Sequence, residues 1–112
     1  MLDGKFIRGT TPTHTFELPI ALDFVRYLTI TYKQDGEVLV KRRLEDCDVH
    51  ENIVAVTLDQ QESLSFLPDE IAEVQLKLLT KGGRVVASPT YRIAVEDALD
   101  TEVFDIWESQ LS

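Results

Sequence analysis

Between Ile71 and Val95 the chain alternates with a period of two, and this stretch constrains the rest. Val74, Leu76 and Leu78 alternate with Glu73, Gln75 and Lys77; beyond Gly82-Gly83, Tyr91, Ile93 and Val95 alternate with Thr90, Arg92 and Ala94. Successive side chains of a strand point to opposite faces. The pattern therefore predicts one long hairpin, with the glycine pair supplying the positive φ angles of a tight turn. A lone hairpin is marginal in water, so its apolar face needs a second sheet, which the remaining segments are expected to build.

Several of them carry the same signal. Lys5–Arg8 reads as a short strand broken by Gly9-Thr10-Thr11-Pro12, and Thr13–Leu18 resumes extended structure with Phe16 and Leu18 on one face. Arg26–Lys33 is rich in β-branched and aromatic residues, with Leu28, Ile30 and Tyr32 on one face and Tyr27, Thr29 and Thr31 on the other. Glu37–Leu44 follows after Gln34-Asp35-Gly36. A three-residue loop there, with Gly36 left-handed in a bulge, predicts Tyr32 opposite Val38, Ile30 opposite Val40 and Lys33 opposite Glu37. Glu45–Glu51 reads as irregular, and Asn52–Leu58 as a strand with Val54, Val56 and Leu58 inward.

One helical turn is expected over 59–66. Asp59 is a candidate N-cap, Glu62 stands three residues on as in a capping box, and Leu64 and Phe66 would pin the turn to the core. About seven short strands with frequent turns and this single turn of helix predict an all-β, immunoglobulin-like sandwich over 1–97.

Residues 98–112 form a separate acidic amphipathic tail. From Glu96 to Glu108 there are six acids and no base, yet Leu99, Val103, Ile106 and Trp107 recur at helical spacing. Their apolar stripe either folds back on the sandwich or docks on another subunit, and these four residues are the candidate partner contacts.

At 112 residues the chain is long enough for one domain with a real core. No apolar run approaches the ~20 residues of a membrane span, and Met1–Lys5 has no apolar leader, so neither a membrane partner nor a secretory signal is expected. One cysteine, Cys47, excludes an internal disulfide and fits a reducing compartment. A formal net charge of −9 repels a polyphosphate backbone, which argues against nucleic acid. The only basic run, Lys41-Arg42-Arg43, would alternate faces on a strand.

Catalytic patterns are weak. Cys47 and His50 are the one thiol–imidazole candidate, but both fall in a segment that reads as loop, where a fixed pair is hard to hold. Cys47-Asp48-Val49-His50-Glu51 lacks the second ligand pair of a structural zinc site, and the tail acids do not match a calcium loop. Gly82-Gly83 opens no helix and so builds no phosphate cradle. No enzyme activity, cofactor, metal or small-molecule substrate is expected. A carbohydrate- or cell-wall-binding sandwich is the alternative, with Tyr27, Tyr91 and Trp107 as contacts.

Arg8-Gly9-Thr10-Thr11-Pro12-Thr13-His14-Thr15-Phe16, Ile30–Gly36, Val56–Leu64, Glu73–Lys77 and Ala87-Ser88 together carry a resemblance. The chain resembles small proteins from prophages and related mobile elements of Gram-positive bacteria. Its layout is similar, more distantly, to the immunoglobulin-like N-terminal domain of phage upper baseplate proteins. The likeness covers roughly residues 6–105 and contains no catalytic signature. It implies a structural or assembly part of a phage tail or baseplate, made in the bacterial cytoplasm and carried into the virion. It also implies that the part works through self-association or contact with other particle subunits.

Overall fold

The structure, a computed structural model, describes residues 2–105. In chain order the strands are β1 (Gly4–Ile7), β2 (Thr13–Glu17), β3 (Val25–Gln34), β4 (Glu37–Arg43), β5 (Asp48–His50) and β6 (Ile53–Thr57). The short α-helix α1 (Gln60–Leu64) comes next, then β7 (Ile71–Thr80), β8 (Val85–Ala87) and β9 (Tyr91–Glu96). One sheet has the order β1-β9-β7-β3-β4, with β8 also paired to β7; the other is β2-β6-β5. The chain passes from one sheet to the other and back, as in the Greek-key connections of immunoglobulin domains. This is an immunoglobulin-like β-sandwich.

The core forms where the inward residues of the two sheets meet. Phe16, Val54 and Val56 face Leu28, Ile30, Tyr32, Val74 and Leu76, and all are buried. Phe66 stands edge-on to Phe6 at 5.3 Å and to Tyr32 at 6.1 Å. With a single cysteine there is no cross-sheet disulfide, so apolar burial clamps the layers. Each large side chain contributes ~1.5–3 kcal/mol.

The turn between β6 and β7 forms as its sequence predicts. Asp59 Oδ1 accepts the Glu62 N–H at 2.7 Å, Glu62 Oε1 accepts the Asp59 N–H at 3.0 Å, and Phe66 is buried. Two expectations about register need correction. Asp35 and Gly36 both have positive φ, 52° and 79°, so the β3–β4 loop has two residues, not three. Tyr32 then pairs with Val40, Lys33 with Val38 and Ile30 with Arg42, and a bulge at Leu39 restores Val40 to the core. The long hairpin is likewise interrupted. β8 pairs with β7 through Leu78↔Val86 and β9 through Val74↔Tyr91, so one extra residue is absorbed near Ser88-Pro89. Pro89 cannot donate to the ladder, and Ser88 fills the gap, its Oγ accepting the Leu76 N–H at 3.0 Å. Of the glycine pair, Gly83 alone is left-handed, at φ 90°.

The segment expected to be irregular holds a 3-10 turn, Leu44–Asp46, and the short edge strand β5. The described part of the tail is not the helix its spacing suggests: 97–105 carries no helix. Close-set acids without bases repel one another along a helix, and Gln60 holds the tail in another conformation, as set out below.

Candidate functional site

The residues that could carry chemistry are dispersed. Cys47 and His50 do not meet: Cys47 Sγ donates to the Arg43 carbonyl at 3.3 Å, while His50 is exposed on β5 with Glu51 at 4.0 Å. Burial, aided by Asp46, pushes the Cys47 thiol up, the reverse of an activated nucleophile. His14 instead pairs with Tyr32, Nδ1 to Oη at 2.8 Å. Burial raises the Tyr32 phenol, keeping it protonated and able to donate to Nδ1. The neutral ring then carries its proton on Nε2, which has no hydrogen-bond partner among the described residues. Burial also lowers the His14 pKa. Among the described residues no three His, Cys, Asp or Glu side chains gather as metal ligands would. Nor, among them, is any helix long and apolar enough to cross a membrane.

What the fold does offer is surface. The first feature is the tail. Phe104 N–H donates to Gln60 Oε1 at 2.8 Å and Gln60 Nε2 donates to the Phe104 carbonyl at 3.0 Å, so one side chain of α1 grips both main-chain groups of one tail residue. Asp97 is fixed in turn by Arg8 at 2.8 Å. Along this segment Leu99 is fully exposed, Phe104 largely so and Val103 about half. The described tail therefore leaves Leu99 and most of Phe104 uncovered by its own sandwich. Ile106 and Trp107 lie outside the described residues.

The second feature is an open flank. β2 is an edge strand. Leu58 N–H donates to the Pro12 carbonyl and Leu18 N–H to that of Asn52, so the even-numbered residues bond toward β6. The main-chain groups of Thr13, Thr15 and Glu17 are thereby turned to the free edge. Beside it opens a crevice of about 450 Å³ lined by Leu18, Asn52, Leu76, Leu78 and Tyr91 among others. Tyr91, on the crevice wall, meets the buried Phe16 ring at a tilt of 55° with centroids 5.2 Å apart.

The third feature is the outward face of the larger sheet. Tyr27, Leu79 and Val85 are cross-strand neighbours at one end of it. Toward the middle stand Lys33, Lys41 and Lys77 around a depression of about 440 Å³ that also touches Thr29, Thr31 and Glu73. The basic run on β4 splits as a strand requires: Arg42 turns to α1 and pairs with Glu62, leaving Lys41 on the outward face. Tyr27 and Tyr91 stand on opposite faces of the same sheet, one outward and one inward, so they build no common aromatic platform. Lys33 and Lys77 carried no signal as site residues in the sequence, because the sheet alone brings them beside Lys41.

No protein-family model matches the chain, and no curated protein aligns with it significantly. Among solved structures, it is similar to extracellular domains 3–5 of Drosophila OTK, with 15% identity and a TM-score of 0.38 over 87% of this chain and 33% of that one. It is also similar to the V domain of amphioxus IgVJ-C2, with 13% identity and a TM-score of 0.36 over 83% of this chain and 98% of that one. The chain thus spans a third of the OTK fragment. The fold assignment stands on strand order and packing.

Proposed function

We propose that the protein is a non-enzymatic, phage-derived structural or assembly module of tail or baseplate type that acts through protein–protein contacts. The presented tail carries this reading: Leu99 and Phe104, with about half of Val103, stand in the open on a segment gripped by Gln60 at the Phe104 backbone. Exposed apolar side chains on an anchored segment suit a partner surface better than a substrate. The free edge of β2 is a second place where a neighbouring chain can add. The phage context comes from the resemblance of residues 6–105 alone.

The test is made in a lysogen that encodes the chain. After prophage induction, particles are separated on a density gradient and probed for a tagged copy by mass spectrometry. The chain is expected in the tail-bearing fraction, and deletion of 98–112 is expected to remove it. Its absence from particles with the tail intact would overturn the proposal.

A further inference from the structure

We infer that the outward face of the larger sheet is the receptor for the acidic C-terminal segment of a second copy of this chain. The inference deepens the assembly reading and rests on it.

The face and the segment match in charge and in apolar character. On the outward positions of β3, β4, β7 and β9 stand Lys33, Lys41, Arg43, Lys77 and Arg92. The acids among those positions are Glu73 and Glu96, and Glu96 already pairs with Lys5 at 3.7 Å. This concentration of cations belongs to a chain whose net charge is −9. The lysine-ringed depression runs into a second one of about 280 Å³ that shares Thr29, Lys41 and Lys77 and ends on Tyr27, Leu79 and Val85. The groove thus has a cationic middle and an apolar end. From residue 97 to 108 the tail carries acids and no base, interleaved with Leu99, Val103, Phe104, Ile106 and Trp107. Carboxylates set against the lysines, with aliphatic and aromatic side chains on the Tyr27 end, would satisfy both.

Geometry selects a second copy over the tail's own sandwich. Gln60 fixes Phe104 at the α1 end, and Leu99 and Val103 precede that anchor. The apolar end of the groove lies at Leu79, eight residues along β7 from Ile71, a distance of roughly 27 Å at the usual strand rise. Leu99 and Val103 cannot cover it while the anchor holds, whereas the groove of another molecule can be brought to them. The contact joins two different surfaces, so it is heterologous and propagates as a ring or an open row.

Sedimentation velocity on the full-length protein across a concentration series tests the pairing. Two sets of exposed substitutions are compared after circular dichroism confirms folding: Lys41→Glu with Lys77→Glu in the groove, and Val103→Ser with Phe104→Ser in the tail. Wild type is expected to self-associate. Raising salt from about 0.1 M to about 1 M, which shortens the screening length from roughly 10 Å to 3 Å, should weaken the association about tenfold. Each variant alone should be monomeric. An equimolar mixture should restore dimers but nothing larger, since the groove variant supplies an intact tail and the tail variant an intact groove. A wild type that stays monomeric, an association indifferent to the lysine reversals, or a mixture that fails to restore dimers each overturns the inference. If the chain nevertheless enters particles, the assembly reading survives without this contact.

Discussion

The two ends of the sandwich are built by different means. At the α1 end, polar side chains staple the backbone. Ser63 Oγ accepts the Gly9 N–H at 2.9 Å and donates to the Thr10 carbonyl at 2.7 Å, tying α1 to the β1–β2 connection. Gln34, almost fully buried, accepts the Leu67 N–H and donates to the Leu67 carbonyl at 2.9 Å and the Glu70 carbonyl at 3.4 Å. Arg8 donates to the Leu64 carbonyl at 2.9 Å, and Arg42 closes on Glu62, whose pKa that hydrogen bond lowers. The far end has a different character. Phe24, Tyr27 and Val85 are each more than 60% exposed, and the crevice opens between β2 and β8. The α1 end is held by these polar contacts, although Arg8 Nε and His14 Nε2 find no partner among the described residues; at the far end the outward face leaves Tyr27 and Val85 uncovered with no such contacts beside them. The contrast teaches that the sandwich is fixed chiefly from one end, the same end that anchors the exposed tail, while the groove's apolar residues at the other end are free of that task.

If that is right, substitutions at the closed end should cost stability and those at the open end should not. The largest effect is expected for Phe66→Ala, which removes a ring 1% exposed between Phe6 and Tyr32. A loss of about 3–5 kcal/mol in urea unfolding follows from transfer plus cavity terms. Gln34→Leu keeps the volume but strands the Leu67 N–H and two carbonyls, and should cost about 2–4 kcal/mol. Gly9→Ala comes next. Gly9 sits at φ +81°, and a Cβ there would stand 3.3 Å from Leu64 Cδ2. The left-handed conformation alone implies a loss of about 1–2 kcal/mol. At the open end, Tyr27→Ser combined with Val85→Ser should change unfolding free energy by no more than about 0.5 kcal/mol per site. A loss there as large as that of Gln34→Leu would break the comparison, because those side chains would then have to be holding the fold.

The two ends also differ in how far the sequence discloses them. The capping box at Asp59 and Glu62 is a local signal and is read directly, as are the inward triplets of β3, β6 and β7, because strand period and burial coincide in them. The β3–β4 register escapes such reasoning: matching Tyr32 to Val38 favours a three-residue loop, whereas the left-handed pair Asp35-Gly36 makes the tighter turn and the Leu39 bulge pays the difference in register. β5 shows no alternation because all three of its residues are exposed. The tail's helical spacing is genuine as a pattern, yet Gln60, nearly forty residues upstream of that segment, decides its conformation. The lysine groove is assembled from β3, β4 and β7, and no one-dimensional pattern marks it apart from Lys41, one of the three residues of the basic run.

The smallest expected effect concerns His14, which connects the closed end to pH. Its ring lies against Phe6 at 5.8 Å and bonds to Tyr32 inside the same aromatic group that holds Phe66. Burial lowers its pKa from 6.5 because the charged ring is poorly solvated there. The unfolded chain therefore takes up a proton at higher pH than the folded one does. Above 6.5 both states are neutral at this position and the fold keeps its full stability; as pH falls below 6.5 the unfolded state is favoured, until the folded ring also protonates. Wild type should accordingly lose urea stability between pH 7.5 and 5.5. His14→Gln, which can still accept from Tyr32 but does not titrate, should lose less over that interval. Hydrogen exchange locates the effect: mild acid should speed exchange in β2 and α1 more than in β8. Equal acceleration at both ends would mean that the imidazole acts on the whole sandwich, and the separation between a stapled end and an open one would lose its support.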